Sequence, residues 1–255
     1  MKQMSHLTDS HIHVGQYNDL YTSPSELKEF LDSVNVESFA VSSTTICNGD
    51  YRKVISELKE LQTLCGDRML PVLWIIPNML RDGGVEMFIE SGLVWKCIKI
   101  HPQLNPEIWV KNGREMQTVM SMASTMRLPL LIHTGESDGC YASHYSDVVE
   151  QNPHVTFILA HGRPIDETIQ LMTQNQNVWV DTAFMPMEHV GMLCYNGLAD
   201  RILWGTDYPI PRYFYPDNNM IDYYLCLVEQ LKTLVSNEDF KRITQMNFNR
   251  LFSSH

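Results

Sequence analysis

Leu7-Thr8-Asp9-Ser10-His11-Ile12-His13-Val14-Gly15 is the stretch on which the fold turns. It reads as a short strand, in which residues two apart share a face, so His11 and His13 aim both imidazoles the same way. It then ends in His-Ile-His-Val-Gly, without the GxGxxG or GKS/T loop that usually follows the first strand of an open, doubly wound sheet. A first strand that ends in paired imidazoles suits a barrel, where reactive side chains stand at the C-terminal ends of the strands. Taken alone, a His-x-His pair is a weak signal; its place at a strand end is what strengthens it.

Working outward, seven further runs rich in Val, Ile and Leu follow, near Glu37–Ser43, Met69–Ile76, Val94–Ile100, Pro129–His133, Val155–His161, Val178–Asp181 and Ile202–Trp204. Stretches with helical periodicity lie between them: Ser25–Val34, Tyr51–Cys65, Arg114–Met126, Ser146–Asn152, Ile165–Asn175, Glu188–Asn196 and Ile221–Leu234. Ser23-Pro24 reads as a helix start, serine as N-cap and proline at the first position. Strands buried on both faces and alternating with helices imply a parallel sheet. The expected fold is α/β, a single (β/α)8 TIM barrel with an extra C-terminal helix, Asn237–Phe252, and the open sheet is the runner-up. At 255 residues the chain fits one such barrel, which takes about 250 residues, so residues 1–255 are read as one domain.

Composition excludes several classes. With 44% hydrophobic residues the chain is not a disordered one. Nineteen Lys and Arg against thirty Asp and Glu give a net charge of −11, leaving no basic stripe for nucleic acid. No apolar run is long enough to span a bilayer, and Met1–His6 shows no signal-peptide core. The six cysteines are scattered without a CxxC pair, which points to reduced thiols and a cytoplasmic location. The expected partner is a small-molecule substrate, with no nucleic acid and no membrane; a homo-oligomer would be unsurprising.

Three more strands end in metal-competent side chains: Leu131-Ile132-His133-Thr134-Gly135, Ile158-Leu159-Ala160-His161-Gly162 and Leu203-Trp204-Gly205-Thr206-Asp207-Tyr208-Pro209. Imidazoles with a carboxylate suit Zn2+ or a similar borderline ion. Together with Asp9-Ser10-His11-Ile12-His13, Ile98-Lys99-Ile100-His101-Pro102 and the closing Asn249-Arg250-Leu251-Phe252, these motifs resemble, in order and over nearly the whole chain, the amidohydrolase superfamily, in its amidohydrolase-related (amidohydrolase 2) branch.

The resemblance implies one divalent metal ion, with Zn2+ expected and Mn2+ or another divalent ion as alternatives. It implies His11, His13, His133 and Asp207 as metal ligands, and Asp207 and His161 as catalytic residues. Asp207 would shuttle protons, and His161 would polarise the substrate or its attacking water. Lys99, by resemblance to one-metal members, is expected as an uncarboxylated cation lining the site. Lys99, His101, Arg163 and Tyr208 are the substrate-binding candidates, the last two because they adjoin His161-Gly162 and Asp207. The activity so implied is metal-dependent hydrolysis of an ester, lactone or amide. The alternatives are non-oxidative decarboxylation of an aromatic or unsaturated acid, and a non-catalytic barrel that binds a metal or metabolite.

Overall fold

A computed structural model describes residues 6–105, 109 and 113–252. Met1–Ser5, which form most of the stretch read above for a signal peptide, lie outside the described residues. The strands are β1 (Leu7–Tyr17), β2 (Leu20–Thr22), β3 (Val36–Ser43), β4 (Met69–Trp74), β5 (Cys97–Ile100), β6 (Leu130–His133), β7 (Phe157–Ala160), β8 (Val178–Asp181) and β9 (Ile202–Leu203). They form one sheet in the order β2-β1-β3-β4-β5-β6-β7-β8-β9. β2 pairs antiparallel with β1, and each later neighbour pairs parallel.

The ladder ends at β9, but the backbone beyond it turns back to β1. Ser10 N–H donates to Trp204 O (2.8 Å), Asp207 N–H to His11 O (2.7 Å) and His13 N–H to Tyr208 O (2.7 Å), around a parallel bridge between Ile12 and Tyr208. The sequence expectation of alternating α and β units over the chain is met, with helices α1 (Pro24–Ser33), α2 (Tyr51–Cys65), α3 (Gly84–Ile89), α4 (Arg114–Met126), α5 (Ser146–Gln151), α6 (Ile165–Gln174) and α7 (Met187–Tyr195) in the crossovers. Ser23 caps α1 as expected: its hydroxyl accepts from Glu26 N–H, and the Glu26 carboxylate accepts from Ser23 N–H at 2.8 Å.

Strand periodicity sorts the sheet interior into layers. Ala40, Val72, Cys97, Leu131, Ile158, Trp179 and Leu203 point inward at one end, where Phe248, Leu251 and Phe252 plug the sheet. Two residues further along, on the same face, stand Ser42, Trp74, Lys99, His133 and Asp181, while Ala160 on β7 still packs with the apolar layer. One end is therefore an apolar seal and the other a polar floor. Burying each plug side chain contributes roughly 1.5–3 kcal/mol.

Two segments differ from the sequence reading. β1 runs on to Tyr17 and folds back through Asn18, at φ 50°, into β2. The C-terminal helix spans Asn237–Phe252 as expected but carries a π turn within it: α8 (Pro211–Phe214) and α9 (Met220–Leu234) precede α10 (Asn237–Lys241), which runs through the π turn (Arg242–Met246) into α11 (Asn247–Phe252). The π turn frees carbonyls from the helical ladder: Ile243 O accepts from Trp204 N–H (3.0 Å) and Thr244 O from the Thr8 hydroxyl (2.8 Å). Asn247, buried behind it, donates to Ala199 O and Ile202 O. Among the described residues, no helix is long and apolar enough to cross a membrane.

Candidate metal centre

His11 and His13 come off β1 two residues apart and face the polar end. Asp207 reaches them from the backbone after β9. Its φ of 59° lies in the left-handed region, where its N–H bond to His11 O holds it. The result is a trio: one ligand atom from each of His11, His13 and Asp207, all within 4.8 Å of one another. Asp207 Oδ1 lies 2.8 Å from His13 Nε2 and 3.3 Å from His11 Nε2.

The far nitrogens decide which atoms face inward. His11 Nδ1–H donates to the Asp181 carboxylate at 2.9 Å. His13 Nδ1 lies 3.3 Å from Ser42 O and 3.0 Å from its hydroxyl, and a carbonyl can only accept. Burial, and then the Lys99 ammonium, lower both imidazoles, His13 to about 3, so both rings are neutral. Each Nε2 is therefore a lone pair. Burial opposes the Asp207 charge, but the neighbouring imidazoles, His11 foremost, hold its carboxyl well below the usual range. Two imidazole lone pairs and an ionised oxygen thus face one another at close range, an arrangement that requires a cation.

Lys99, from β5, puts its ammonium there, 2.8 Å from His11 Nε2 and 3.2 Å from His13 Nε2, over the Trp74 ring. Burial lowers this amine to about 8 while Asp207 and Asp181 oppose the shift, which leaves it charged at neutral pH. The donor set fits a divalent ion by the same logic, with both Nδ1 atoms engaged behind it as metal-binding histidines require.

His133, expected as a fourth ligand, does not join the trio. Its Nδ1 lies 3.1 Å from His161 Nε2 and its Nε2 2.7 Å from the Gln103 amide, with the ring stacked on His101 at 3.7 Å. His161, just past β7 at φ 68°, has its N–H held by Asp181 and its Nδ1–H by Ala183 O. His101 lines the same cavity, its Nδ1 buried without a hydrogen-bond partner among the described residues. Arg163 lines it too, paired with Glu136 and donating to Phe184 O. The cavity holds about 760 Å3, and Tyr17, Trp74, Leu104, Phe184, Phe214 and Tyr215 supply much of its apolar wall.

Tyr208 stands apart from these residues. It does not line the cavity; its ring stacks face to face on Phe30 with centroids 3.6 Å apart, and only its hydroxyl reaches a charged group, Arg212. Asp181, by contrast, was passed over in the sequence reading and proves central. It is fully buried, and although burial opposes its charge, His11 and the His161 N–H hold its carboxyl below the usual range.

The sequence profile of the amidohydrolase family matches residues 9–252. The chain belongs to that family. Among curated proteins none matches this amidohydrolase significantly. Solved structures share its fold at low identity. A probable 2-pyrone-4,6-dicarboxylic acid hydrolase from Acinetobacter baumannii, solved with citric acid bound, aligns with TM-score 0.73 and 11% identity over 98% of this chain and 100% of its own. An amidohydrolase from Burkholderia multivorans with bound zinc aligns with TM-score 0.69 and 10% identity, over 98% of this chain and 99% of that one. The 5-carboxyvanillate decarboxylase of Sphingomonas paucimobilis aligns with TM-score 0.69 and 12% identity, over 97% and 99%.

Proposed function

We propose that this amidohydrolase is a metal-dependent hydrolase of a small ester, lactone or amide, with one divalent ion, zinc by preference, held by His11, His13 and Asp207. The observation that carries the reading is the convergence of two neutral imidazole lone pairs and an ionised carboxylate within 4.8 Å. The sheet is read as a closed eight-stranded barrel, supported by the hydrogen bonds from β1 to the backbone at Trp204, Asp207 and Tyr208.

An ion bound at this trio supplies Lewis acidity, which makes water a nucleophile near neutral pH. The remaining work falls to the chain. Asp207, ionised at neutral pH, accepts the proton of the attacking water at its carboxylate and returns it to the leaving group. His161, held from behind at Nδ1, presents Nε2 beside His133 on the substrate side. Lys99 and Arg163 place positive charge on the cavity wall, suited to an anionic group on the substrate. Aromatic rings shed water around the reacting carbon.

Decarboxylation is the second reading. The same two cations in an aromatic-walled cavity would hold a carboxylate, and a decarboxylase is among the proteins of similar fold. The test is turnover by zinc-loaded protein on a panel of lactones, esters, amides and aromatic acids. Hydrolysis that falls about 10²- to 10⁴-fold in Asp207→Asn supports the proposal. Carbon dioxide release without hydrolysis selects the second reading, and inactivity across the panel counts against both.

A further inference from the structure

Asp181 takes no part in the proton path described above, yet one carboxylate gathers the site. Its Oδ2 accepts from His11 Nδ1–H at 2.9 Å. Its Oδ1 accepts from the backbone N–H groups of His161 and Ala183, each at 3.0 Å. Ala183 O accepts in turn from His161 Nδ1–H at 2.8 Å. The side chain is 0% exposed, so water does not compete for these bonds.

We propose that Asp181 is a positioning residue that sets His11 and His161 together, fixing the proton of His11 on Nδ1 so that its Nε2 lone pair faces the metal. The inference rests on the reading of His11 as a ligand. An ionised carboxylate only accepts, so the ring atom facing it must donate. His13 has a looser arrangement: its Nδ1 meets a carbonyl and a hydroxyl, both uncharged. The firm anchor is on His11. The same carboxylate holds the N–H of His161 at its left-handed φ of 68°, so the turn that presents the second imidazole hangs on it as well.

The substitution Asp181→Asn separates orientation from bulk. It keeps an oxygen for the two backbone N–H groups and sets an N–H2 group against His11 Nδ1. The ring must then carry its proton on Nε2, which blocks that atom as a ligand. Partners behind a metal-binding histidine typically contribute about 10- to 100-fold in metal affinity. The experiment measures zinc affinity of the full chain by chelator competition and the visible spectrum of the cobalt-loaded protein. Asp181→Asn is expected to bind zinc about 10- to 100-fold more weakly and to alter the cobalt bands, while its metal-free melting temperature stays close to that of the parent. Long-range 1H–15N correlation on metal-free parent protein, labelled at histidine, is expected to show the Nδ1–H form of His11; this reading stands even if the variant does not fold. Equal zinc affinity in the two proteins, or a His11 protonated at Nε2 in the parent, overturns the proposal. A parent that binds no zinc overturns the metal-site reading and this inference with it.

Discussion

Replacing Gly15 with alanine should destabilise the protein by about 2–5 kcal/mol. Gly15 sits at φ 94°, and a Cβ there would lie 2.4 Å from Thr45 Oγ1, 2.6 Å from Glu57 Oε2 and 2.7 Å from Ser43 Oγ. These atoms form a knot beneath the loop after β3. The Ser43 hydroxyl donates to Glu57 at 2.6 Å, the Thr45 hydroxyl donates to Glu57 at 3.0 Å, and Gln16 N–H donates to Thr45 Oγ1 at 2.9 Å. The left-handed backbone costs a non-glycine residue about 1–2 kcal/mol. Pushing the hydroxyls aside leaves at least one buried partner unmade, at about 1–3 kcal/mol each. For a domain of this size each kcal/mol moves the melting temperature by roughly 2–4 °C, so a fall on the order of 10 °C is expected by thermal unfolding. Because Gln16, Tyr17, Thr44 and Cys47 line the cavity, the same variant should also lose activity at temperatures where it remains folded. A melting temperature within about 2 °C of the parent would refute the reasoning, since strain and broken bonds together cannot be that small.

Further outcomes follow from single contacts. Tyr224→Phe removes the acceptor of the buried Trp204 indole N–H, 3.0 Å away, and should cost about 1–3 kcal/mol in chemical denaturation. Asn247→Ala strips the donor from Ala199 O and Ile202 O behind the π turn; a loss of roughly 2–4 kcal/mol is expected, and no change would mean the turn is not held this way. Tyr208→Phe keeps the Phe30 stack and gives up only the Arg212 contact. It should leave kcat/KM within about two-fold, an effect under 0.5 kcal/mol, whereas a tenfold loss would restore Tyr208 to the substrate site.

What the sequence disclosed follows the strand period. His11, His13 and Lys99 are strand residues whose direction is set by counting in twos, and Asp207 lies in the short run beyond a strand end. Tyr208 shows the other side of that rule: a neighbour of Asp207 in sequence turns the opposite way and meets Phe30. Asp181 was open to the same reading, since Val178-Trp179-Val180-Asp181 is an apolar run ending in a carboxylate. Its role was hidden because its partner, His11, lies 170 positions away. Asn18-Asp19 carried a local turn signal between Tyr17 and Leu20, where the chain reverses. The π turn within the Asn237–Phe252 helix was not legible locally, because its free carbonyls meet donors on Thr8 and Trp204 that only the folded chain brings near Ile243 and Thr244. His133 follows the strand rule, yet its nitrogens are engaged by His161 and Gln103, contacts that strand position cannot reveal.

Anomalous diffraction at the zinc edge, from crystals of the zinc-loaded protein, tests the central claim most directly. One peak bounded by His11 Nε2, His13 Nε2 and Asp207 Oδ1 is the predicted result. A peak elsewhere, or none at these side chains with zinc in stoichiometric supply, would contradict it.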